Sequence, residues 1–223
     1  MHKNIIITGA SRGIGLELVK ILAPNNEILA ISRNTKSLEN IENVTSIPID
    51  FSAMKFDEIQ VFINKYWGKV DVIIHNAGKL INKPFHLLSP DDFNEVFKVN
   101  VFAVAELTKQ MLPFLQKNSH VLNISSMGGV QGSSKFPGLA AYSSSKGALI
   151  TLTEVLAEEY KSTGISFNAL ALGSVQTEML AEAFPGFQAA TTAEQMANFI
   201  AEFALNGHQF FNGKVLQVAN STP

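Results

Sequence analysis

Short apolar, β-branched runs alternate with amphipathic stretches along the whole chain, and this alternation restricts the possible folds more than any other feature of the sequence. Runs with strand character lie near Asn4–Thr8, Glu27–Ser32, Val44–Ile49, Val70–His75, Val121–Ser125, Ser166–Leu172 and Lys214–Val218. Helical periodicity occupies the stretches near Gly13–Ala23, Phe56–Trp67, Asp91–Leu115, Tyr142–Thr163 and Thr192–Leu205, with a weaker helix around Ser37–Glu42. A strand, a helix and a further strand in succession pack back onto one sheet in parallel. The pattern therefore predicts an α/β fold, a doubly wound (Rossmann-type) seven-stranded parallel sheet with helices on both faces. One such sheet accounts for the 223 residues, so residues 1–223 are expected to form a single domain. The loops Met127–Ala141 and Gly173–Thr191 carry glycine, serine and proline and follow strands, the end of such sheets where ligands bind.

Seventeen Lys and Arg against nineteen Asp and Glu form no basic block or stripe. Neither nucleic acid nor a membrane surface is expected as a partner, and a small molecule is. The absence of cysteine excludes disulfides, thiolate catalysis and cysteine-ligated zinc or iron–sulfur sites. His2, His75, His86, His120 and His208 show no pairing of the kind metal sites need, so they are read as structural and no metal is expected. The apolar run Asn4–Thr8 is too short for a signal-peptide core or a membrane span, and a cytoplasmic location is expected.

Two local patterns carry chemistry. The turn Thr8-Gly-Ala-Ser-Arg-Gly-Ile-Gly15 follows the first strand, and its glycines allow a tight bend and close approach of an anionic group to the helix that begins there. Further on, Tyr142 and Lys146 stand four apart on a predicted helix and so share a face, with an ammonium beside a phenol. A free phenol has a pKa near ~10, and bringing it to neutrality takes roughly 4 kcal/mol at ~1.4 kcal/mol per unit. Lys146 is expected to supply that lowering. Ser125 and Ser126, at the end of the fifth strand, point to opposite faces, so only one of them can face this pair.

The glycine spacing, Gly-x-x-x-Gly-x-Gly, differs from the Gly-x-Gly-x-x-Gly dinucleotide fingerprint and resembles the turn of the short-chain dehydrogenase/reductase family. Matches continue along nearly the whole chain at Asn76-Ala77-Gly78, Asn100, Ser126, Tyr142 and Lys146. The resemblance implies a nicotinamide cofactor held by Gly9, Ser11, Arg12, Gly13, Ile14 and Gly15, by Ser32 and Arg33 after the second strand, and by Asp50 at the adenine. It also implies contacts from Asn76, Ala77, Gly78, Tyr142, Lys146, Gly173, Val175 and Thr177. A base at the end of the second strand suits a 2′-phosphate; Arg33 there, and Arg12 in the glycine turn, make NADP(H) the expected cofactor. Asp50 also suits the N-cap of the following helix.

By the same resemblance, Tyr142 donates a proton to a carbonyl oxygen and Lys146 also holds the nicotinamide ribose. Asn100 supports a water chain from the lysine. The family's catalytic serine precedes a glycine by three residues, and Gly129 thereby selects Ser126. The implied activity is NADPH-dependent reduction of a ketone or aldehyde, with a 3-oxoacyl-thioester reductase or a non-catalytic NADP(H)-binding redox sensor as alternatives. Leu80, Phe136, Met179, Leu180 and Phe184 are expected to line an apolar substrate wall in an open cleft. A homodimer or homotetramer, built on the helices of Asp91–Leu115 and Tyr142–Thr163, is also implied. Three departures from the family pattern stand out: a longer Ser126–Tyr142 loop, Leu172-Gly173 in place of Pro-Gly, and no paired glycine in Val218–Pro223.

Overall fold

The computed structural model describes residues 2–219; the part of the C-terminal departure that falls on residues 220–223 lies outside them. The chain runs β1 (Asn4–Thr8), α1 (Gly13–Leu22), β2 (Glu27–Ser32), β3 (Val44–Pro48), α2 (Asp57–Phe62), β4 (Val70–His75), α3 (Pro90–Phe97), α4 (Ala103–Met111) and β5 (Leu115–Ser126). It continues through α5 (Ala140–Glu159), β6 (Ser166–Leu172), β7 (Val175–Gln176), α6 (Glu178–Ala183), β8 (Thr191–Thr192), α7 (Ala193–Asn206) and β9 (Val215–Val218). Seven strands form one sheet in the order β3-β2-β1-β4-β5-β6-β9, and every neighbouring pair is parallel. The doubly wound parallel sheet read from the alternation is therefore present. The strand order reverses between β1 and β4, the switch point where such sheets open a crevice at their carboxyl ends.

Period-two alternation divides the strands between two cores. On β1, Ile5 and Ile7 join α1 and α7 through Leu18, Leu22, Ile200 and Ala204. Ile6, between them, faces the other layer with Phe56, Ile59, Leu107 and Met111. Both faces are covered, which is why β1, β2 and β4 read as continuous apolar runs rather than alternating ones. Two helices start on capping boxes: the Ser89 hydroxyl accepts from Asp92 N at the head of α3, and the Thr192 hydroxyl accepts from Gln195 N at the head of α7. No helix among the described residues is long and apolar enough to cross a membrane.

Several boundaries differ from the sequence expectation. The predicted helix Asp91–Leu115 is three pieces, α3 and α4 joined by π-helical turns at Lys98–Phe102, and Pro113 closes it in a 3₁₀ turn because it has no amide hydrogen to continue the ladder. β5 begins at Leu115 rather than Val121, since Leu115 pairs Val70 and the register then jumps to His120 opposite Val72. The weaker helix at Ser37–Glu42 is a 3₁₀ turn over Lys36–Leu38. The segment after β6 is not a plain loop: β7 pairs β8 in parallel, and α6 lies between them.

Two histidines are locked neutral in the core. His75, 1 % exposed, has Nε2 at 2.9 Å from the Thr108 hydroxyl, and burial pushes its pKa down to about 3. His120 Nδ1 donates to the Ala204 carbonyl at 2.9 Å, while its Nε2 accepts from the Asn168 amide at 3.0 Å. This arrangement leaves no room for a second ring proton, and burial lowers its pKa to about 4. Below pH ~6.5 the unfolded chain binds protons that the folded chain refuses, so stability is complete above that pH and falls as the pH drops toward 4. Between pH 7 and pH 5 the two histidines together are expected to remove about 4 kcal/mol. Urea denaturation at both pH values checks this: His75→Asn should show roughly half the acid loss, and a wild-type stability that is flat over this range would contradict it.

Candidate active site

Backbone geometry at the end of β1 makes a cradle. Gly9 and Gly13 have φ of 66° and 52°, in the left-handed region that favours glycine. A Cβ on Gly9 would lie 2.7 Å from the Ala77 Cα, so the turn and the segment after β4 are in direct backbone contact. Asn76 fixes that contact. Its side-chain amide donates to the Thr8 and Gly9 carbonyls, each at 3.1 Å, and the Asn76 and Ala77 amides donate to the Thr8 hydroxyl at 3.1 and 3.0 Å. Thr8 was not among the expected site residues; a hydroxyl at the last strand position before the glycines was its only signal. Gly78 ends this segment beside the Asn100 and Lys146 side chains. Helix α1 opens at Arg12 with no side-chain cap and no acid in its first turn, which leaves its first amide hydrogens for an anion. The residues present fit a pyrophosphate.

The Ser11 and Ser32 hydroxyls lie 2.7 Å apart and the Gly9 and Ala10 amides both donate to the Ile31 carbonyl, so the glycine turn is tied to the end of β2. Arg12 and Arg33 flank this joint. Arg33 is exposed and makes no ion pair among the described residues, although its charge helps to lower the pKa of Asp50. The main cause of that lowering is the Ser52 amide, which donates to Asp50 at 2.8 Å, so Asp50 caps the 3₁₀ turn Phe51–Ala53 rather than the helix that follows it. Arg12 is engaged elsewhere: its two terminal nitrogens donate to the two oxygens of Glu182 on α6, Nη2 to Oε2 at 3.2 Å. Ile14, in the first turn of α1, packs against the core, and Gly15 must be glycine because a Cβ there would lie 2.1 Å from the Gly9 carbonyl oxygen.

At the carboxyl ends of β4 and β5 the four polar residues of the chemical site come together. Ser126 lies beside Tyr142, where its hydroxyl acts to lower the phenol's pKa. Lys146 lies one turn along α5, its Nζ 5.7 Å from the Tyr142 ring centroid and donating to the Ile124 carbonyl at 2.7 Å. The neighbouring serine faces away, since the Ser125 hydroxyl donates to the Lys146 carbonyl at 3.0 Å. Gly129 explains why that separation works: a Cβ there would lie 2.6 Å from the Lys146 carbonyl carbon, so only glycine lets the turn after β5 press against α5. Asn100 donates to the Lys79 carbonyl and to the Ser145 hydroxyl, both at 2.9 Å, and accepts from the Lys79 amide at 2.7 Å. Ser145 in turn donates to the Tyr142 carbonyl at 2.7 Å. This buried serine, three residues after the tyrosine, links Asn100 to the first turn of α5 and was not anticipated.

The electrostatics differ from the expectation that Lys146 lowers the phenol. Burial pushes Tyr142 up to about 12, with the neighbouring Ser126 hydroxyl acting the other way and more weakly. Burial also pushes Lys146 down to about 8. The ammonium is directed at a main-chain carbonyl rather than at the phenol oxygen, so in this arrangement desolvation outweighs their mutual attraction.

After β6, Leu172 continues the strand, paired with Ser126 and Val218, and Gly173 packs against Ala219. Val175 is buried in the core, leaving only its backbone to face a ligand, and the Thr177 hydroxyl accepts from the Leu180 amide at 3.2 Å to cap α6. That Thr-Glu start was the sequence signal for α6. The helix lies against the glycine turn, with Thr177 and Glu178 about 3.3 Å from where a Gly13 Cβ would be and Met179 reaching Gly78. The long loop after Ser126 is shaped by its own groups: Lys135 Nζ donates to the Val130 carbonyl at 2.6 Å and the Lys83 amide to the Gly138 carbonyl at 2.9 Å. Phe136 on this loop is exposed, while Leu80, Leu180 and Phe184 are half-buried.

The comparisons with known proteins agree with this geometry. The model of the short chain dehydrogenase family matches residues 3–187. An oxidoreductase of Botryotinia fuckeliana is 30% identical over 214 residues, covering 92% of this chain and 76% of its own length. A 3-oxoacyl-(acyl-carrier-protein) reductase of Staphylococcus epidermidis is 29% identical over 192 residues, covering 80% of this chain and 78% of its own. Among solved structures, a 3-ketoacyl-(acyl-carrier-protein) reductase from Brucella melitensis complexed with NADH superposes with a TM-score of 0.86 at 25% identity, over 97% of this chain and 96% of that one. A short chain dehydrogenase from Burkholderia cenocepacia in complex with NADP has the same fold, with a TM-score of 0.86 at 23% identity over 99% of this chain and 97% of that one. With the glycine turn, the Asn76-Ala77-Gly78 brace and the Ser126–Tyr142 pair on one parallel sheet, the chain belongs to the short-chain dehydrogenase family of oxidoreductases.

Proposed function

We propose that this chain is an NADP(H)-dependent carbonyl reductase, a single nucleotide-binding and catalytic domain that turns a ketone or aldehyde into an alcohol. The observation that carries the reading is the clustering of Ser126, Tyr142 and a buried lysine, with the Lys146 Nζ 5.7 Å from the Tyr142 ring centroid and the Ser126 hydroxyl acting on the phenol. A carbonyl oxygen seated between the two hydroxyls accepts a hydrogen bond from each. When bound, the nicotinamide supplies hydride to the carbonyl carbon. Charge then develops on the oxygen, where Ser126 stabilises it and Tyr142 delivers the proton. A phenol held at about 12 is fully protonated at neutral pH, so the proton is in place. Lys146 uses one of its three protons on the Ile124 carbonyl, which leaves two donors for the ribose hydroxyls or a water. Asn100, through Ser145, positions the first turn of α5 that carries Tyr142. The exposed Phe102 and Val155, beside α4 and on α5, suit a homodimer or homotetramer built through those helices.

A 3-oxoacyl-thioester reductase is the second reading, favoured by the relatives from Staphylococcus epidermidis and Brucella melitensis that bear that activity in their names. Following NADPH oxidation across a panel of ketones, aldehydes and a carrier-linked 3-oxoacyl thioester separates the two, and no turnover on any of them would refute both.

Arg33 supports the choice of NADP(H), because an exposed guanidinium with no ion pair among the described residues, at the end of β2, can meet a 2′-phosphate with charge-assisted hydrogen bonds of roughly 1.5–3 kcal/mol each. Arg33→Asp repels that phosphate and offers an acceptor to a ribose hydroxyl. It is expected to move the NADPH/NADH ratio of kcat/KM toward NADH by at least ~10-fold. Equal use of both cofactors by the wild type at fixed ionic strength would contradict the arginine assignment.

A further inference from the structure

The glycine turn meets an unusual neighbour. Glu178 and Glu182 are one turn apart on α6 and share a face, and that face is turned toward the cradle: the Glu178 Oε2 lies 3.3 Å from where a Gly13 Cβ would stand, and Glu182 holds Arg12 through both carboxylate oxygens. The fold uses this turn for an anion, yet α6 brings two carboxylates to it. Arg12 is the only cation in ion-pair contact with either of them among the described residues, and both raise its pKa, Glu182 more than Glu178.

We infer that Glu182 is a specificity-determining residue, a built-in competitor that occupies the Arg12 guanidinium and that a 2′-phosphate must displace. This rests on the reading of NADP(H) as the cofactor. The competition has a direction. Carboxylate and phosphate both bind a guanidinium in bidentate fashion, so Arg12 serves one partner fully or the other, and the contact that Glu182 loses also releases α6 from the glycine turn. Because Met179 of the same helix reaches Gly78 beside Lys146, the release bears on the substrate side of the cleft. NADH carries no 2′-phosphate and leaves the Arg12–Glu182 pair intact. Glu178, close to Gly13, faces the pyrophosphate position that NADH and NADPH share, so it opposes both alike.

The test measures dissociation constants of NADPH and NADH by fluorescence titration, at fixed low ionic strength, for wild type, Glu182→Gln, Glu178→Gln, Arg12→Gln and the Arg12→Gln/Glu182→Gln double variant. Both glutamates are exposed, and glutamine keeps their size. Glu182→Gln should tighten NADPH about two- to fivefold, the range of an exposed ion pair, and leave NADH unchanged; in the Arg12→Gln background the same change should do nothing. Glu178→Gln should tighten both cofactors equally. Amide exchange over residues 178–183 without cofactor should rise in Glu182→Gln, as the tie to Arg12 is lost. If NADPH binds Glu182→Gln no more tightly than wild type while wild type prefers NADPH, this inference fails and the functional reading stands. Equal wild-type affinities for the two cofactors would overturn the NADP(H) reading on which the inference rests. Binding of neither cofactor to wild type would overturn both.

Discussion

Tyr142→Phe is expected to lower kcat by at least ~100-fold, the usual contribution of a positioned general acid, while the NADPH titration stays close to that of wild type. The ring and its packing remain, and only the hydroxyl beside Ser126 is lost. A pH profile separates the tyrosine from the lysine. Tyr142 is held at about 12 and Lys146 at about 8, so the reductive kcat/KM of the free enzyme should fall as the pH rises through about 8, where the lysine cation is lost. The phenol contributes no limb in that range. Lys146→Arg, charged throughout, should remove the limb near 8 even where it slows the reaction. Turnover by Tyr142→Phe within tenfold of wild type would sink the mechanism, and a limb that survives in Lys146→Arg would sink the assignment to the lysine.

The parts of the fold that repeat a simple period were legible from residues alone. Ile5, Ile6 and Ile7 on β1 are buried whichever face they point to, and a run of that kind bounded by Gly9 has few alternatives to a central strand. The Tyr142–Lys146 spacing survives because one turn of helix converts it directly into shared space. Features that depend on two distant segments were not legible. Leu115 joins β5 because it finds Val70, and the register jump after it comes with a left-handed Asn118 inside the strand, φ 71°, which an asparagine permits but does not announce. Arg12 shows the same limit from the other side: its place in the glycine turn could be read, but the Glu182 that holds it stands 170 residues away. The sign of the tyrosine shift was missed for a related reason. Spacing places Lys146 beside the phenol, but only the packing of β5 reveals that its ammonium is drawn to the Ile124 carbonyl and that burial dominates both groups.

The two neighbouring serines offer the sharpest test of the site. Ser126 lies beside Tyr142 and its oxygen accepts from the Gly128 amide at 3.3 Å, so in the proposed mechanism its proton is the one offered to a carbonyl oxygen. Removing it in Ser126→Ala is expected to cost on the order of 2.7–4 kcal/mol in kcat/KM, the range for an oxyanion donor, which corresponds to ~100- to 1000-fold. Ser125 is 3 % exposed and its hydroxyl donates to the Lys146 carbonyl within α5. Ser125→Ala loses one buried neutral hydrogen bond, about 1 kcal/mol of stability, and leaves an acceptor on the helix that carries the lysine. Its effect should therefore appear in the denaturation midpoint and hardly in kcat/KM at temperatures well below unfolding. The two variants exchange signatures, one kinetic and one thermodynamic, although they alter the same atom type at consecutive positions. Steady-state kinetics and urea denaturation on both decide the matter: a Ser125→Ala enzyme that loses more activity than Ser126→Ala, with its stability unchanged, would place the donor on the wrong face of β5.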